Sequence, residues 1–359
     1  MSIMKEINIP LISLIIPGFN EEAIVSGNLG IICDYMKHLE DRYIWELIFV
    51  DDGSKDNTGA LADAFAEKHP NVEVIHHVVN LNLGNALKTG ISQAKGKYTI
   101  TLDLDLSYAP YHIGDLLQTL VTTGADVVVA SPYMKGGKVT AVPFLRRIMS
   151  KWVNRFMRIT AQEKLYTYTC MVRGYRTEFL KRLNLKTKDY EINPEILYKS
   201  MILRGRIIEI PAHLDWTEQN KLGVKRQSGM RLIKTFFSGL MAGFIFRPYI
   251  FFIGFGLLLF LIAMYILIWI FINTLQIMPH IVIDPQFIDD RFSYAIGEIY
   301  KNRPHAFIVG GITLMLSVQI LSLGFLSLQS KRYFEELFHI NSSILKQVNK
   351  INGNEVNQK

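Results

Sequence analysis

Asp103 and Asp105 stand at i and i+2 where the β-rich run Thr99-Ile100-Thr101-Leu102 gives out. In a continuing strand those two side chains share a face. At a frayed strand end both can turn toward one ligand. Two carboxylates this close repel unless something neutralises them. A divalent cation bound to a diphosphate does so, because Mg²⁺ pairs one or two carboxylates with phosphate oxygens. By itself the pair reads equally as a polar strand end with an Asp-Ser turn. Three upstream clusters of polar residues weigh against that plain reading. They are Pro17-Gly18-Phe19-Asn20-Glu21-Glu22, Asp51-Asp52-Gly53-Ser54 and Asn82-Leu83-Gly84-Asn85. No Gly-x-Gly-x-x-Gly follows the first strand and no Walker loop is present, so a dinucleotide or P-loop site is unsupported.

The elements that must position these clusters alternate in type. Leu11–Pro17 is a nearly unbroken apolar run, as expected of a strand buried on both faces. Further strands are expected at 45–50, 72–77, 98–102 and 126–130. Helices are expected after Asn20, which reads as a cap, after Asp56 or Asn57, over 83–95 and over 111–122. Such alternation implies a parallel sheet with right-handed crossovers. In these sheets the ligand lies beyond the carboxyl ends of the strands, where the clusters at 17–20, 51–52 and 103–105 all fall.

These ordered motifs, with Leu83-Gly84-Asn85-Ala86-Leu87-Lys88-Thr89-Gly90 among them, resemble those of family 2 glycosyltransferases. Within that family the chain looks most like the transferases that load sugars onto dolichyl or undecaprenyl phosphate. The resemblance covers roughly residues 10–222. It implies a type A glycosyltransferase fold (α/β, Rossmann-like, mostly parallel) and a nucleotide-diphosphate sugar as donor. It further implies that Pro17, Asn20, Glu21 and Asp51 line the base and ribose pocket. Asp52, Asn85 and Asp103 would hold the nucleotide and sugar. Asp105, with Asp103 beside it, would be the catalytic pair that ligates Mg²⁺ or Mn²⁺. Ser107 stands where some relatives carry a Gln that also reaches the metal.

Residues 138–161 form a second informative stretch. Leu145, Ile148, Met149, Trp152, Phe156 and Ile159 fall on one helical stripe, with Arg146, Arg147, Lys151, Arg155 and Arg158 around it. A basic amphipathic helix with Trp at its apolar edge suits a membrane surface; a helix packed on the sheet with a solvated basic face is the plainer reading. The resemblance implies that Arg146, Lys151, Arg173 and Lys221 meet the acceptor's phosphate, a polyprenyl phosphate, with Ser150, Asn154 and Thr169 nearby. Close relatives carry Arg where this chain has Pro132, Asp where it has Thr167, Gly where it has Met171 and Arg where it has Asp215. These departures lie on the acceptor and sugar side, and they question the acceptor more than the donor chemistry. Glu195, Glu209 and Pro211 match late family features or serve structure alone.

Residues 249–272 and 306–328 are apolar throughout, each long enough to cross a bilayer. The chain has 359 residues and a formal net charge of +7. The basic excess sits beside these segments, which favours an anionic membrane surface over nucleic acid. Basic flanks at 221–247 and 331–332 place both termini in the cytosol of an inner-membrane, multi-pass protein, with 273–303 outside. Two cysteines, Cys33 and Cys170, lie far apart and read as reduced thiols. The expected organisation is a catalytic domain at 1–222, basic juxtamembrane helices at 223–247, a two-span region at 248–330, and a C-terminal amphipathic helix and tail at 331–359 that could serve as a homo-oligomer contact. Two spans build no pore in one subunit, which weighs against transport alone. A transferase with another lipid or glycan acceptor is the first alternative, and a non-catalytic membrane scaffold the second. Intact Asp51, Asp52, Asp103 and Asp105 argue against the scaffold.

Overall fold

The computed structural model describes residues 9–161, 163–221, 244, 247–282 and 290–356. It divides into two compact units, one within 1–243 and 337–359, the other within 244–336.

The first unit is built on a seven-stranded sheet ordered β3-β2-β1-β4-β7-β5-β8. Its strands are β1 (Leu11–Gly18), β2 (Ile44–Asp51), β3 (Val72–His76), β4 (Tyr98–Thr101), β5 (Val127–Ser131), β7 (Arg173–Arg176) and β8 (Ile207–Pro211). All neighbours pair in parallel except β7, which runs antiparallel to both β4 and β5. Between them lie α1 (Val25–Lys37), α2 (Thr58–Ala66), α3 (Leu83–Gln93) and α4 (Tyr111–Thr123). The expected alternation of strands and helices is therefore what forms. Strand β7 lacks an apolar run of its own and is recruited by its neighbours.

Alternate residues divide the sheet between two covers. Ile12, Leu14 and Ile16 of β1, Leu47 and Phe49 of β2 and Ile100 of β4 join Val25, Leu29 and Ile32 of α1 and Ile113, Leu116 and Leu120 of α4 in one buried core. On the other face α3 packs on β1 and β2. Full burial of such aliphatic side chains stabilises by about 1.5–3 kcal/mol each. The edge that the site uses follows from register. Gly18 lies level with Asp51, and Ile15 with Thr101. Strands β1 and β2 thus stop at one height, and β4 stops three residues short of them, so Asp103 and Asp105 lie on the segment that continues from β4 toward the same edge.

Beyond the sheet, a small parallel pair joins β6 (Lys138–Thr140) to β9 (His213–Asp215). Helix α5 (Phe144–Thr160) follows β6, and α6 (Thr177–Lys181) and α7 (Ile192–Ile202) follow β7. A short helix, α8 (Thr217–Lys221), follows β9.

The second unit contains the helix Pro248–Ile277, a helix over Arg291–Asn302 and the start of a continuous helix over Pro304–Val356. Two stretches, Pro248–His280 and Pro304–Ile344, are long and apolar enough to cross a membrane, with mean hydropathies of 2.8 and 2.1 over an 18-residue segment of each. Phe255, Leu258, Leu261, Tyr265, Ile312, Met315 and Phe325 all leave their side chains exposed. A soluble core helix would cover such residues. The two helices meet at small residues: a Cβ on Gly256 would lie 2.9 Å from the Leu321 side chain, and one on Gly324 2.7 Å from that of Ile253. No helix break occurs at residue 330, so the expected separate C-terminal helix continues from the second span. Of the expected juxtamembrane helices, 222–243, 245 and 246 lie outside the described residues.

Gly96 turns the chain into β4 against the backbone of β1. Its N–H donates to Ser13 Oγ at 2.8 Å, and an added Cβ would lie 2.6 Å from Ser13 N and 2.8 Å from Leu11 O. Backbone cannot give way as a side chain tip can. Gly96→Ala is expected to lower the thermal unfolding midpoint of the purified protein, with a destabilisation of about 1–3 kcal/mol.

Candidate active site

The first polar cluster is locked to the second. Asn20 adopts φ +55, in the left-handed region that Asn tolerates better than most residues. Its N–H donates to Ser54 Oγ at 2.9 Å, and its Oδ1 accepts the Lys55 N–H at 2.8 Å. Glu21 N–H donates to Thr58 Oγ1 at 2.7 Å. Asn20 is therefore a clasp between two loops and does not cap α1, which begins at Val25. At the start of α2 the cap position is Asn57, whose side chain makes no capping bond; Asp56, one residue earlier, instead closes a turn by accepting the Thr58 N–H on its Oδ1 at 3.1 Å. Pro17 and Glu21 are half-buried beside this clasp.

Asp51 and Asp52 are nearly buried at the end of β2, at 6% and 4% exposure. Each is held by a backbone N–H and by a histidine from the end of the neighbouring β3. Asp51 accepts from Ser54 N–H at 3.1 Å and faces His76 Nδ1 at 3.0 Å. Asp52 accepts from Leu81 N–H at 2.9 Å and faces His77 Nδ1 at 2.7 Å. The far nitrogens are engaged as well, His76 Nε2 with Asp63 at 3.0 Å and His77 Nε2 with Thr89 Oγ1 at 2.9 Å. The Asp51 carboxylate raises the His76 imidazole above its ordinary range; burial opposes this and Asp63 adds to it. Sequence reasoning missed both histidines. Their position at the end of the strand after the Asp-Asp strand was the available signal.

Asn85 sits half-buried in the first turn of α3, its Nδ2 donating to Leu81 O at 2.7 Å. Asp103 and Asp105 follow β4 on a turn in which Leu106 takes φ +52. Asp105 Oδ1 accepts the Ser107 N–H at 2.9 Å, the Asp-Ser turn of the plainer reading. Both carboxylates are half-buried. Among the described residues no three His, Cys, Asp or Glu side chains form a metal-ligand group. Two carboxylates still match Mg²⁺ or Mn²⁺, which take oxygen donors and fill remaining positions with phosphate and water. One structural detail agrees with this donor set: beside the turn, the Gln219 amide oxygen is buried and accepts no hydrogen bond. The residues present therefore fit a divalent cation.

Helix α5 divides differently from the expected stripe. Val153, Asn154 and Met157 face inward, while Phe144, Leu145, Trp152 and Ile159 are 63–69% exposed beside Lys151 and Arg155. Arg146 lies over the Trp216 ring at 4.4 Å, and Lys151 points at the Tyr133 ring at 6.0 Å. Asn154 Nδ2 donates to Thr169 Oγ1 at 3.2 Å and Oδ1 accepts the Tyr168 N–H at 2.6 Å.

Arg173 does not fit the acceptor role that the resemblance implies. It is fully buried on β7, its guanidinium donating to the carbonyls of Asn193 and Tyr168 at 2.7 Å each. Strand position explains this, since a β7 residue between β4 and β5 faces the interior. The Lys221 side chain lies outside the described residues. Of the departures, Pro132, Thr167 and Met171 are buried, and Thr167 Oγ1 pairs with Ser131 Oγ at 2.7 Å. Asp215 caps α8, its Oδ1 accepting the Thr217 N–H at 2.9 Å. Glu195 and Glu209 hold loops, Glu195 in a buried pair with Lys199 at 2.6 Å and Glu209 accepting the N–H of Tyr166 and of Thr167 at 2.7 and 2.8 Å.

A mostly parallel α/β sheet with acidic clusters at its carboxyl edge is the class of α/β fold that binds ligands beyond the carboxyl ends of its strands. The profile described as Glycosyl transferase family 2 matches residues 13–183, a span holding every cluster from Pro17 to Asp105. Polyprenol monophosphomannose synthase of Mycolicibacterium smegmatis is 31% identical over 231 residues, 62% of this chain and 83% of that protein. Undecaprenyl-phosphate mannosyltransferase of Micrococcus luteus is 29% identical over 221 residues, covering 60% and 86%. Dolichol-phosphate mannosyltransferase of Pyrococcus furiosus is 30% identical over 203 residues, covering 56% and 55%. This chain belongs to glycosyltransferase family 2, among the polyprenyl-phosphate sugar transferases.

The Asp51–His76 pair makes stability depend on pH. A His raised in the folded state stabilises fully below its unfolded value near 6.5, and that contribution fades as pH rises through the higher folded value. His76→Gln keeps a donor but does not titrate. The unfolding midpoint of the native protein should exceed that of His76→Gln at pH 6 and converge on it by pH 8–9. The gap is held under about 1 kcal/mol by solvent screening. A gap independent of pH would show that the pair is not charged.

Proposed function

We propose that this protein is an inverting, metal-dependent glycosyltransferase that moves a sugar from a nucleoside-diphosphate donor to a polyprenyl phosphate at the cytosolic face of a membrane. The observation that carries this is a chain of contacts. Arg146 of the basic helix α5 stacks on Trp216, and Gln219, three residues further on, donates to the Asp105 carbonyl at 3.1 Å. The element suited to a lipid phosphate therefore adjoins the carboxylates suited to the donor.

Pro17, Asn20, Glu21 and Asp51 form the base and ribose end of the donor site, with Asp52, Asn85 and Asp103 toward the sugar. A divalent cation between Asp103 and Asp105 would neutralise charge on the departing nucleoside diphosphate. The acceptor phosphate oxygen bonds to the anomeric carbon as the bond to the diphosphate oxygen breaks on the opposite face. A phosphate is anionic at neutral pH, so no side chain need remove a proton, whereas a hydroxyl acceptor would require a placed base. Arg146 and Lys151 hold the acceptor phosphate, and Phe144, Leu145 and Trp152 seat α5 in the interface. The two apolar helices anchor the enzyme where its lipid diffuses, with the catalytic domain and both termini cytosolic.

The buried, uncharged Pro132, Thr167 and Met171 favour, as a second reading, another lipid or glycan acceptor. The test is sugar transfer by the purified detergent-solubilised protein, offered labelled UDP- and GDP-sugars, undecaprenyl phosphate and Mg²⁺ or Mn²⁺. Labelled lipid should form only with phosphate lipid and metal, and Asp105→Asn should lower the rate roughly 100-fold. Donor binding without lipid product would move the search to the second class of acceptor.

A further inference from the structure

After Asp105 the chain leaves the sheet edge and is stitched to a corner more than a hundred residues away. Tyr108 forms an antiparallel bridge with Leu214, and Asp215 N–H donates to Ser107 O at 2.9 Å. Gln219 Nε2 donates to the Asp105 carbonyl at 3.1 Å. Asp215 fixes the start of α8 through the Thr217 N–H and hydroxyl, at 2.9 and 2.5 Å, and so sets where Gln219 stands.

This geometry determines which way the Gln219 amide faces. A carbonyl oxygen needs a donor, so it is the NH₂ end that meets the Asp105 backbone carbonyl, and the amide oxygen is left out of that bond. That oxygen is buried and accepts no hydrogen bond. Leaving a buried acceptor unmet costs about 1–3 kcal/mol, and native proteins leave few of them. The oxygen therefore awaits a donor or a cation, next to the turn that carries Asp105. Ser107 does not fill this place, since its backbone N–H is committed to Asp105 Oδ1 and its side chain is short and 5% exposed.

We propose that Gln219 supplies an oxygen ligand, directly or through one bound water, to the divalent cation held at Asp103 and Asp105. The inference rests on the reading of those two carboxylates as a metal site. It extends the protein's donor set to two carboxylates and a carboxamide. All are hard oxygen donors of the kind Mg²⁺ and Mn²⁺ accept, and positions remain for diphosphate and water. Asp215 becomes a positioning residue, because by capping α8 it aims Gln219.

The test is Mn²⁺ binding to the full-length detergent-solubilised protein, read from the electron paramagnetic resonance signal of free Mn²⁺, with and without UDP or GDP. Gln219→Leu removes both amide ends and is expected to weaken Mn²⁺ binding about tenfold. Gln219→Glu keeps an oxygen and adds charge while losing the donor to Asp105. It is expected to bind Mn²⁺ as tightly as the native protein or more so. Unfolding midpoints measured without metal show that each variant is folded. Native affinity in Gln219→Leu would overturn the proposal, as would a Gln219→Glu variant as weak as Gln219→Leu, the result if Gln219 only braces the Asp105 carbonyl. Native affinity in Asp105→Asn would bring down the metal reading itself, and this inference with it.

Discussion

Two pairs of carboxylates stand at one sheet edge before any substrate arrives, and the domain is arranged to hold them there. Strand β1 separates the β2 pair from the β4 pair. Two strand spacings set their backbones about 10 Å apart. Asp51 and Asp52 are almost removed from water. A buried carboxylate without partners would be costly, and these two are met by the backbone N–H groups of Ser54 and Leu81 and by His76 and His77. Asp105 is met by the Ser107 N–H. Leu106, in the left-handed region, lies within the turn that brings the Ser107 N–H to Asp105.

Long-range contacts complete the edge. The Asp105 turn is held by the β9–α8 corner, and that corner presents Trp216 to Arg146 of α5. Three segments far apart in the chain thus converge on one turn. Beneath them Arg173, fully enclosed, ties β7 to the loop at Tyr168 and to the first turn of α7 at Asn193. Its interactions are with backbone carbonyls, so its charge stabilises the floor of the site and is not offered to a substrate.

Two solvents shape the two units. In the first, aliphatic side chains are enclosed by the sheet and its helices. In the second, Pro248–His280 and Pro304–Ile344 leave most apolar side chains uncovered, a surface that water opposes and hydrocarbon accepts. Helix α5 in the first unit is intermediate, with a wholly buried seam at Val153 and Met157 and an exposed apolar and basic face.

Much was legible in the residue order alone. Mainly apolar runs marked β1, β2 and β5, and alternation with helices pointed to a parallel sheet whose carboxyl edge carries Asn20, Asp51, Asp52, Asp103 and Asp105, and that sheet forms except at β7. Those readings rest on local periodicity and on one topological rule. The uniform apolar character of 249–272 and 306–328 was equally plain. What stayed hidden depends on residues meeting across the fold. Asn20 looked like a helix cap, yet its partners Ser54 and Lys55 lie on another loop. Arg173 looked like a phosphate contact, but its place between β4 and β5 turns it inward. His76, His77 and Gln219 carried no motif, and only the pairing of β2 with β3 and the capping of α8 by Asp215 brought them to the carboxylates. Residue type and spacing determined which groups could do chemistry; tertiary pairing decided which of them face one another, because a charge finds its partner by position in space and not by distance along the chain.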